Sequence, residues 1–271
     1  MHYTFSNIFF SMYSSLQNTF WVLRASLFYI MCTILCATLY ILMIISYLAG
    51  TNYDIKLKLC KSSSYIFLFL LKYICGLKYK INNLEKIPNQ PSVIMSNHQS
   101  FWENIFIHTM LPKNSWIIKK ELFNIPILGW VLKILEPIAV DRSANMSVKQ
   151  ILTTGKKKID SGLSIVLFPE GTRLDLWQTK KFKPSGAKLA LLAKTPIVLI
   201  AHNAGFFWPK NNFFIKPGTI TVDVISILEY DDIKDKDPRD ITDQIELIIN
   251  ERKNLLAIDT QSLSANQDHQ L

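Results

Sequence analysis

The chain has 271 residues, 49% of them hydrophobic, and a formal net charge of +9. That balance excludes a disordered acidic chain and points to a globular unit joined to a lipid-contacting part. The excess of basic residues suits an anionic membrane surface or phosphorylated substrates, and with no base-reading motif or basic recognition helix beside it, nucleic acid is not an expected partner.

Arg24 is the only charged residue up to Gly50, and the 26 positions 25–50 carry none. At ~1.5 Å rise per residue a helix of that length crosses the ~30 Å hydrocarbon layer. It is too long for the core of a signal peptide and no small-residue cleavage site frames it, so it is expected to stay in the protein. A second apolar stretch, SSSYIFLFLL at 62–71, is too short to span and reads as an interfacial or re-entrant helix. Whether 25–50 spans fully or lies as a bent hairpin with 62–71 stays open. Lysines at 56, 58, 61, 72, 78 and 80 follow the long segment, so the positive-inside tendency places everything after Thr51 on the cytoplasmic face of the inner membrane. Cys32, Cys36, Cys60 and Cys75 lie in or beside these stretches without metal-ligand spacing. Neither a disulfide framework nor a metal site is expected, and a reducing cytoplasm is the simpler setting.

From Tyr79 the pattern becomes one of short strands alternating with helices. SVIMS (92–96), SWIIK (115–119), PIAV (137–140), SIVLF (164–168), PIVLIA (196–201) and TITVDVISI (219–227) read as strands. FWENIFIHTM, NIPILGWVLKIL, MSVKQILTTGKKKID and SGAKLALLAK read as the helices between them. The expected fold is therefore α/β, a mostly parallel sheet flanked by helices, behind an N-terminal membrane-anchoring helical segment. Residues 231–240 form a charged linker to a final amphipathic helix. The expected organisation is an anchor over 1–78, the α/β domain over 79–260 and a disordered tail over 261–271.

The chemistry starts at MSNHQSFWEN, residues 95–104. On one helix His98 and Glu103 would stand roughly 140° apart, so they meet only if His98 sits in the loop before the helix. Ser100 as N-cap and Glu103 at N3 form a Ser-x-x-Glu capping box whose carboxylate points back toward His98. An imidazole held in one tautomer by a carboxylate is the usual means of taking a proton from a hydroxyl near neutral pH. The plainer alternative is a helix-capping Glu103 beside an ordinary loop histidine. Ser100 has no nucleophile elbow around it, so covalent catalysis there is the weaker reading.

FPEGTR, 168–173, leaves the carboxyl end of a strand, where open α/β sheets place ligands. Gly171 permits a tight turn, and Arg173 offers a planar donor array for phosphate or carboxylate. Pro184, Ser185 and Gly186 stand at a helix start that favours anions. Lys119 with Lys120, and Arg142 beside Asp141, add cationic strand ends. Each of these alone is as readily a solvated surface group; their joint order along the chain is what points to a site.

In that order the sequence resembles the glycerophospholipid acyltransferase family, and within it the compact bacterial 1-acylglycerol-3-phosphate acyltransferases. The family's His-x4-acid block corresponds to His98 and Glu103, and its Lys-x-x-Leu-x-x-x-Pro-x-x-Gly block to Lys119, Leu122, Pro126 and Gly129. Its acid-arginine pair falls on Asp141 and Arg142, its Glu-Gly-Thr-Arg block on Glu170, Gly171, Thr172 and Arg173, and its hydrophobic-proline block on Pro196, Ile197 and Val198. Two departures stand out: Glu103 replaces the usual aspartate, and Glu136 occupies a position where glycine is common.

The resemblance implies that His98 and Glu103 are catalytic and that Lys119, Arg142, Glu170, Gly171, Thr172 and Arg173 bind the substrate phosphate. It further implies transfer of an acyl group from acyl-CoA or acyl-carrier protein to lysophosphatidic acid, with no cofactor and no metal. Other acceptors, a thioesterase and a non-catalytic lipid-binding protein remain as alternatives. FFWPKNNFF, 206–214, reads either as an interfacial aromatic loop or as packing. His202 and His108 read as satisfied core histidines.

Overall fold

The computed structural model describes residues 2–125, 128–140 and 146–268, with side chains over 19–125, 129–140 and 148–263. The chain opens with two helices, α1 (His2–Leu48) and α2 (Tyr53–Ile74). Gly50, at φ 63°, takes the left-handed conformation between them, and Asn52 caps α2 by accepting from the Ile55 N–H at 3.1 Å. The helices run back along each other. Phe28 meets Phe67 with ring centroids 5.4 Å apart, and Met43 shares a buried cluster with Cys60. Arg24, the lone charge of the first 50 residues, donates to the Cys75 carbonyl at the carboxyl end of α2.

The hairpin lies along the globular part instead of leaving it. Near one end Phe28 packs on Trp208 at 6.0 Å and Tyr29 stacks on Phe213 at 4.8 Å; near the other, Tyr40 and Tyr47 flank Trp130 at 5.3 and 6.1 Å. The two helices pack as a helical hairpin, with α2 longer than the apolar stretch it contains. Thr19–Leu48 is long and apolar enough to cross a membrane and is only 11% buried, which makes it a candidate anchor.

The sheet has seven strands: β1 (Leu77–Asn82), β2 (Val93–Ser96), β3 (Asn114–Lys119), β4 (Ile138–Val140), β5 (Ser164–Leu167), β6 (Ile197–His202) and β7 (Gly218–Leu228). Their order is β1-β7-β6-β2-β5-β3-β4, parallel throughout except for the antiparallel pair β6/β7. β2, β5 and β6 are buried on both faces, as their unbroken apolar runs require. Alternate residues serve two cores. Ile94 faces the layer formed by α1, α2 and α3 (Trp102–Met110); α4 (Leu128–Leu135) packs with α1 and α2 around Met43 and Cys60, and Val93 and Met95 face the layer of α5 (Met146–Asp160), α6 (Ser185–Ala193) and the C-terminal helix. Short helices α7 (Ala204–Phe207) and α8 (Tyr230–Ile233) connect to α9 (Pro238–Asp268).

Two expectations shift. The edge strand begins at Leu77, before the boundary drawn at 78, because LKYKIN carries lysines on an edge where charge is tolerated. The tail expected to be disordered from 261 continues α9 to Asp268, since SLSANQ contains no helix breaker.

Candidate active site

Parallel strands with helices returning behind them bring their carboxyl ends to one edge. There the β2–α3 loop and the loop after β5 meet. α3 starts at Trp102, one residue later than a Ser100 cap predicts, and the Ser100 Oγ accepts from the Trp102 N–H at 3.3 Å. The reach-back of Glu103 holds all the same. Its Oε1 accepts from the Gln99 and Ser100 N–H groups, each at 2.7 Å, and stands 2.8 Å from His98 Nδ1.

Glu103 is fully buried. Burial alone would raise its pKa, yet the carboxyl is held below the ordinary range by His202, His98 and the Ser100 N–H. His202 is itself kept neutral by burial, so the hydrogen bonds carry the effect. An ionised carboxylate only accepts, which fixes the His98 proton on Nδ1 and leaves Nε2 as a lone pair. No hydrogen bond of Nε2 occurs among the described residues, and the ring edge is 13% exposed. Phe168 stacks on the imidazole at 4.2 Å and 11°. Ser100, buried and capping, is no free nucleophile.

The loop after β5 is stitched to this turn. The Leu174 N–H donates to the His98 carbonyl at 2.8 Å, and Gln99 Nε2 donates to the Leu176 carbonyl at 3.2 Å. Glu170 departs from expectation. It is fully buried and its Oε2 accepts from the His98 N–H at 3.0 Å. A carboxyl so placed braces the histidine and does not face a phosphate, which it would repel if ionised. Gly171 takes φ 71°, the left-handed turn expected of it. Thr172 is exposed and Arg173 half-buried, and the Arg173 guanidinium has no partner among the described residues. The N–H groups of Gln99, Ser100, Trp102 and Gly171 are committed, while those of Thr172 and Arg173 have no acceptor among the described residues.

Lys119 ends β3 level with Val140 of β4 and pairs with Glu121 at 3.5 Å. Pro126, Asp141 and Arg142 lie outside the described residues. Gly129 sits where any Cβ would collide with the Phe123 carbonyl, and Glu136 takes φ 49°, which accounts for a preference for glycine there. A cavity of ≈ 300 Å³ adjoins Phe168, lined among others by Ile117, Val140, Leu167, Gly171, Lys183 and Ser185.

The sequence reading missed how the histidine loop is backed. Asn97 Nδ2 donates to the His202 carbonyl, the His202 N–H donates to Asn97 Oδ1, both at 3.0 Å, and His202 Nε2 donates to the Asn97 carbonyl at 2.9 Å. His202 is thus a satisfied core histidine that ties β6 to β2. His108, also buried, bonds Asn114 at 2.9 Å and is confined to packing.

Residues 78–203 match the model of the family described as Acyltransferase. Over 156 residues the chain is 41% identical to a 1-acyl-sn-glycerol-3-phosphate acyltransferase of Pseudomonas aeruginosa, a match covering 57% of this chain and 61% of that protein. It is 28% identical over 162 residues to 1-acyl-sn-glycerol-3-phosphate acyltransferase beta of Homo sapiens, covering 58% of each. The chain thus spans less than two thirds of the length of these relatives. Its fold is similar to the crystal structure of the 1-acyl-sn-glycerophosphate (LPA) acyltransferase PlsC of Thermotoga maritima, with TM-score 0.71 over 87% of this chain and 95% of that one at 18% identity.

Proposed function

We propose that the chain is a membrane-bound 1-acylglycerol-3-phosphate O-acyltransferase, moving a fatty acyl group from acyl-CoA or acyl-carrier protein to the free hydroxyl of lysophosphatidic acid and giving phosphatidic acid. The observation that carries the reading is His98, with Nδ1 held by an ionised, buried Glu103 and Nε2 left without a partner among the described residues. The relatives named above bear the matching activity in their names.

In this reading the acceptor's phosphate lies on the Arg173 guanidinium, with Lys119 and Arg142 as further cations. His98 Nε2 takes the proton of the acceptor hydroxyl. The oxygen attacks the thioester carbonyl, and the C–O bond forms as the carbonyl becomes an oxyanion, for which the N–H groups of Thr172 and Arg173, without acceptors among the described residues, are candidate donors. Collapse breaks the C–S bond, and the leaving thiolate recovers the proton from the imidazolium, which Glu103 stabilises while it exists.

Both lipid substrate and product keep their chains in the bilayer, so the site belongs at its surface. Leu27, Ile30, Ile34, Ile41 and Ile45 of α1, Ile66 and Phe69 of α2, and Phe213 and Phe214 are all largely exposed. An apolar face of that extent supports a hairpin lying in the membrane with the domain on the cytoplasmic side.

The test is acyl transfer by membranes containing the protein, with labelled acyl-CoA and acyl-carrier protein as donors and lysophosphatidic acid, glycerol 3-phosphate and other lysophospholipids as separate acceptors. Labelled phosphatidic acid formed only with lysophosphatidic acid supports the assignment. Transfer confined to another acceptor refutes the named substrate, and hydrolysis of the donor without transfer refutes the reaction.

A further inference from the structure

Lys253 is 1% exposed and lies on α9, outside residues 78–203 of the family match. It continues a buried stripe in which every fourth residue, Ile241, Ile245 and Ile249 before it and Ala257 after it, packs against the sheet layer. An ammonium in such a stripe is costly to desolvate unless polar or charged groups repay it. Its Nζ donates to the Gln178 carbonyl at 2.8 Å, in the loop that carries residues 170–173. Its charge also acts on Glu170, without direct ion-pair contact.

Glu170 stands in that loop. It is fully buried, its Oε2 accepts from the His98 N–H, and Oε1 has no hydrogen-bond partner among the described residues. Burial pushes its carboxyl up to about 8, opposed by the His98 hydrogen bond and by Lys253 and Lys180, and reinforced by Glu103. Lys180 is exposed and solvated, which leaves Lys253 as the enclosed positive charge.

We propose that Lys253 is a positioning residue for the reaction: its buried Nζ, bonded to the Gln178 carbonyl, fixes the 170–178 loop, whose Glu170 and Leu174 bond the His98 backbone, against the histidine turn. The inference rests on the proposed acyl transfer for its kinetic consequence. Without Lys253 the Gln178 carbonyl loses its buried donor, and the loop that carries Glu170 and Leu174 is held less firmly against His98.

The test uses the full chain as wild type, Lys253→Met, Lys253→Gln, Glu170→Gln and the Lys253→Met/Glu170→Gln pair, read by acyl transfer to lysophosphatidic acid and by amide hydrogen exchange of peptides spanning 97–101. Lys253→Met is expected to lower kcat about tenfold with KM within about twofold, and to speed exchange at His98. Lys253→Gln keeps a donor for Gln178 and loses less. The pair is expected to lose less than the product of the two single losses, because both residues act through the same loop on the same histidine turn. Losses that multiply in the pair, or unchanged exchange at His98 in Lys253→Met, overturn the proposal and reduce Lys253 to packing. Should Lys253→Met fail to fold, Lys253→Gln carries the same comparison. Exchange is read without turnover, so a wild type that transfers no acyl group refutes the proposed activity while the coupling of Lys253 to His98 is still measured.

Discussion

Glu103→Gln keeps the length of the side chain and removes its charge. The amide oxygen still accepts from His98 Nδ1, Gln99 and Ser100, now 2.7 to 2.8 Å from Oε1, so the turn is expected to persist. What disappears is the anion facing the imidazolium formed when His98 takes the acceptor's proton. At ~4 Å and an effective dielectric of ~20 that attraction is about 4 kcal/mol. The ring edge is 13% exposed, so solvent trims it, to about 2–4 kcal/mol. At ~1.4 kcal/mol per tenfold, kcat falls by about 30- to 1000-fold with little change in KM. The new amide N–H groups occupy the place of Oε2, which has no partner, so stability drops as well, by about 1–3 kcal/mol. Glu103→Asp is the complement. It keeps the charge but withdraws it by ~1.5 Å, beyond hydrogen-bond reach of Nδ1, and is expected to lose activity through geometry. Initial rates with labelled acyl-CoA and lysophosphatidic acid, at matched protein levels, give both answers. Glu103→Gln transferring within about threefold of wild type would show that the carboxylate's charge plays no part, contrary to the reasoning from charge stabilisation.

Arg173→Ala is expected to cost about 10- to 100-fold in kcat/KM for lysophosphatidic acid, mostly through KM, as loss of a charge-assisted contact does; the same loss on an acceptor without phosphate would refute its role. Glu170, raised to about 8 by burial, binds its proton more tightly folded than unfolded, so the stability it contributes is fully present below ~4.5 and is lost as pH rises through about 8. Denaturation midpoints measured across that window should fall less steeply in Glu170→Gln, and parallel curves would contradict the buried, proton-retaining carboxyl. Gly205→Ala brings a Cβ to 2.8 Å from the Gln99 Cβ, which displaces the residue linking the Glu103 carboxylate to Leu176. Activity is expected to fall about tenfold at a stability cost of about 1–3 kcal/mol, and undiminished kcat would show that the turn tolerates the shift.

The legible parts of the fold were those where one physical signal dominates. The unbroken apolar runs at 93–95, 165–167 and 197–201 fit the middle of a parallel sheet. The edge strand at 77–82 carries lysines and packs one face poorly, so its pattern is faint. The meeting of His98 with Glu103 followed from a strand, a turn and a capping box. The direction of Glu170 did not follow, because spacing in a loop leaves open whether a side chain turns inward, and here the His98 N–H draws it into the core. Lys253 was hidden between the polar Arg252 and Asn254 of the final amphipathic helix. Its place four residues after Ile249 in a buried series was the signal available, and periodicity alone gives no reason to bury a charge. That α1 packs along the domain was not legible at 25–50, because the aromatic residues that hold it, Trp130, Trp208 and Phe213, are distant in sequence.

The central claim is that His98 Nε2 is the base for transfer to a lipid hydroxyl. The most direct measurement compares membranes containing wild type and His98→Ala at equal protein levels, with labelled acyl-CoA and lysophosphatidic acid. The account predicts phosphatidic acid from wild type and a loss of at least about 10²-fold in the variant, with lysophosphatidic acid still bound through Arg173. Phosphatidic acid formed at an undiminished rate by His98→Ala would contradict it.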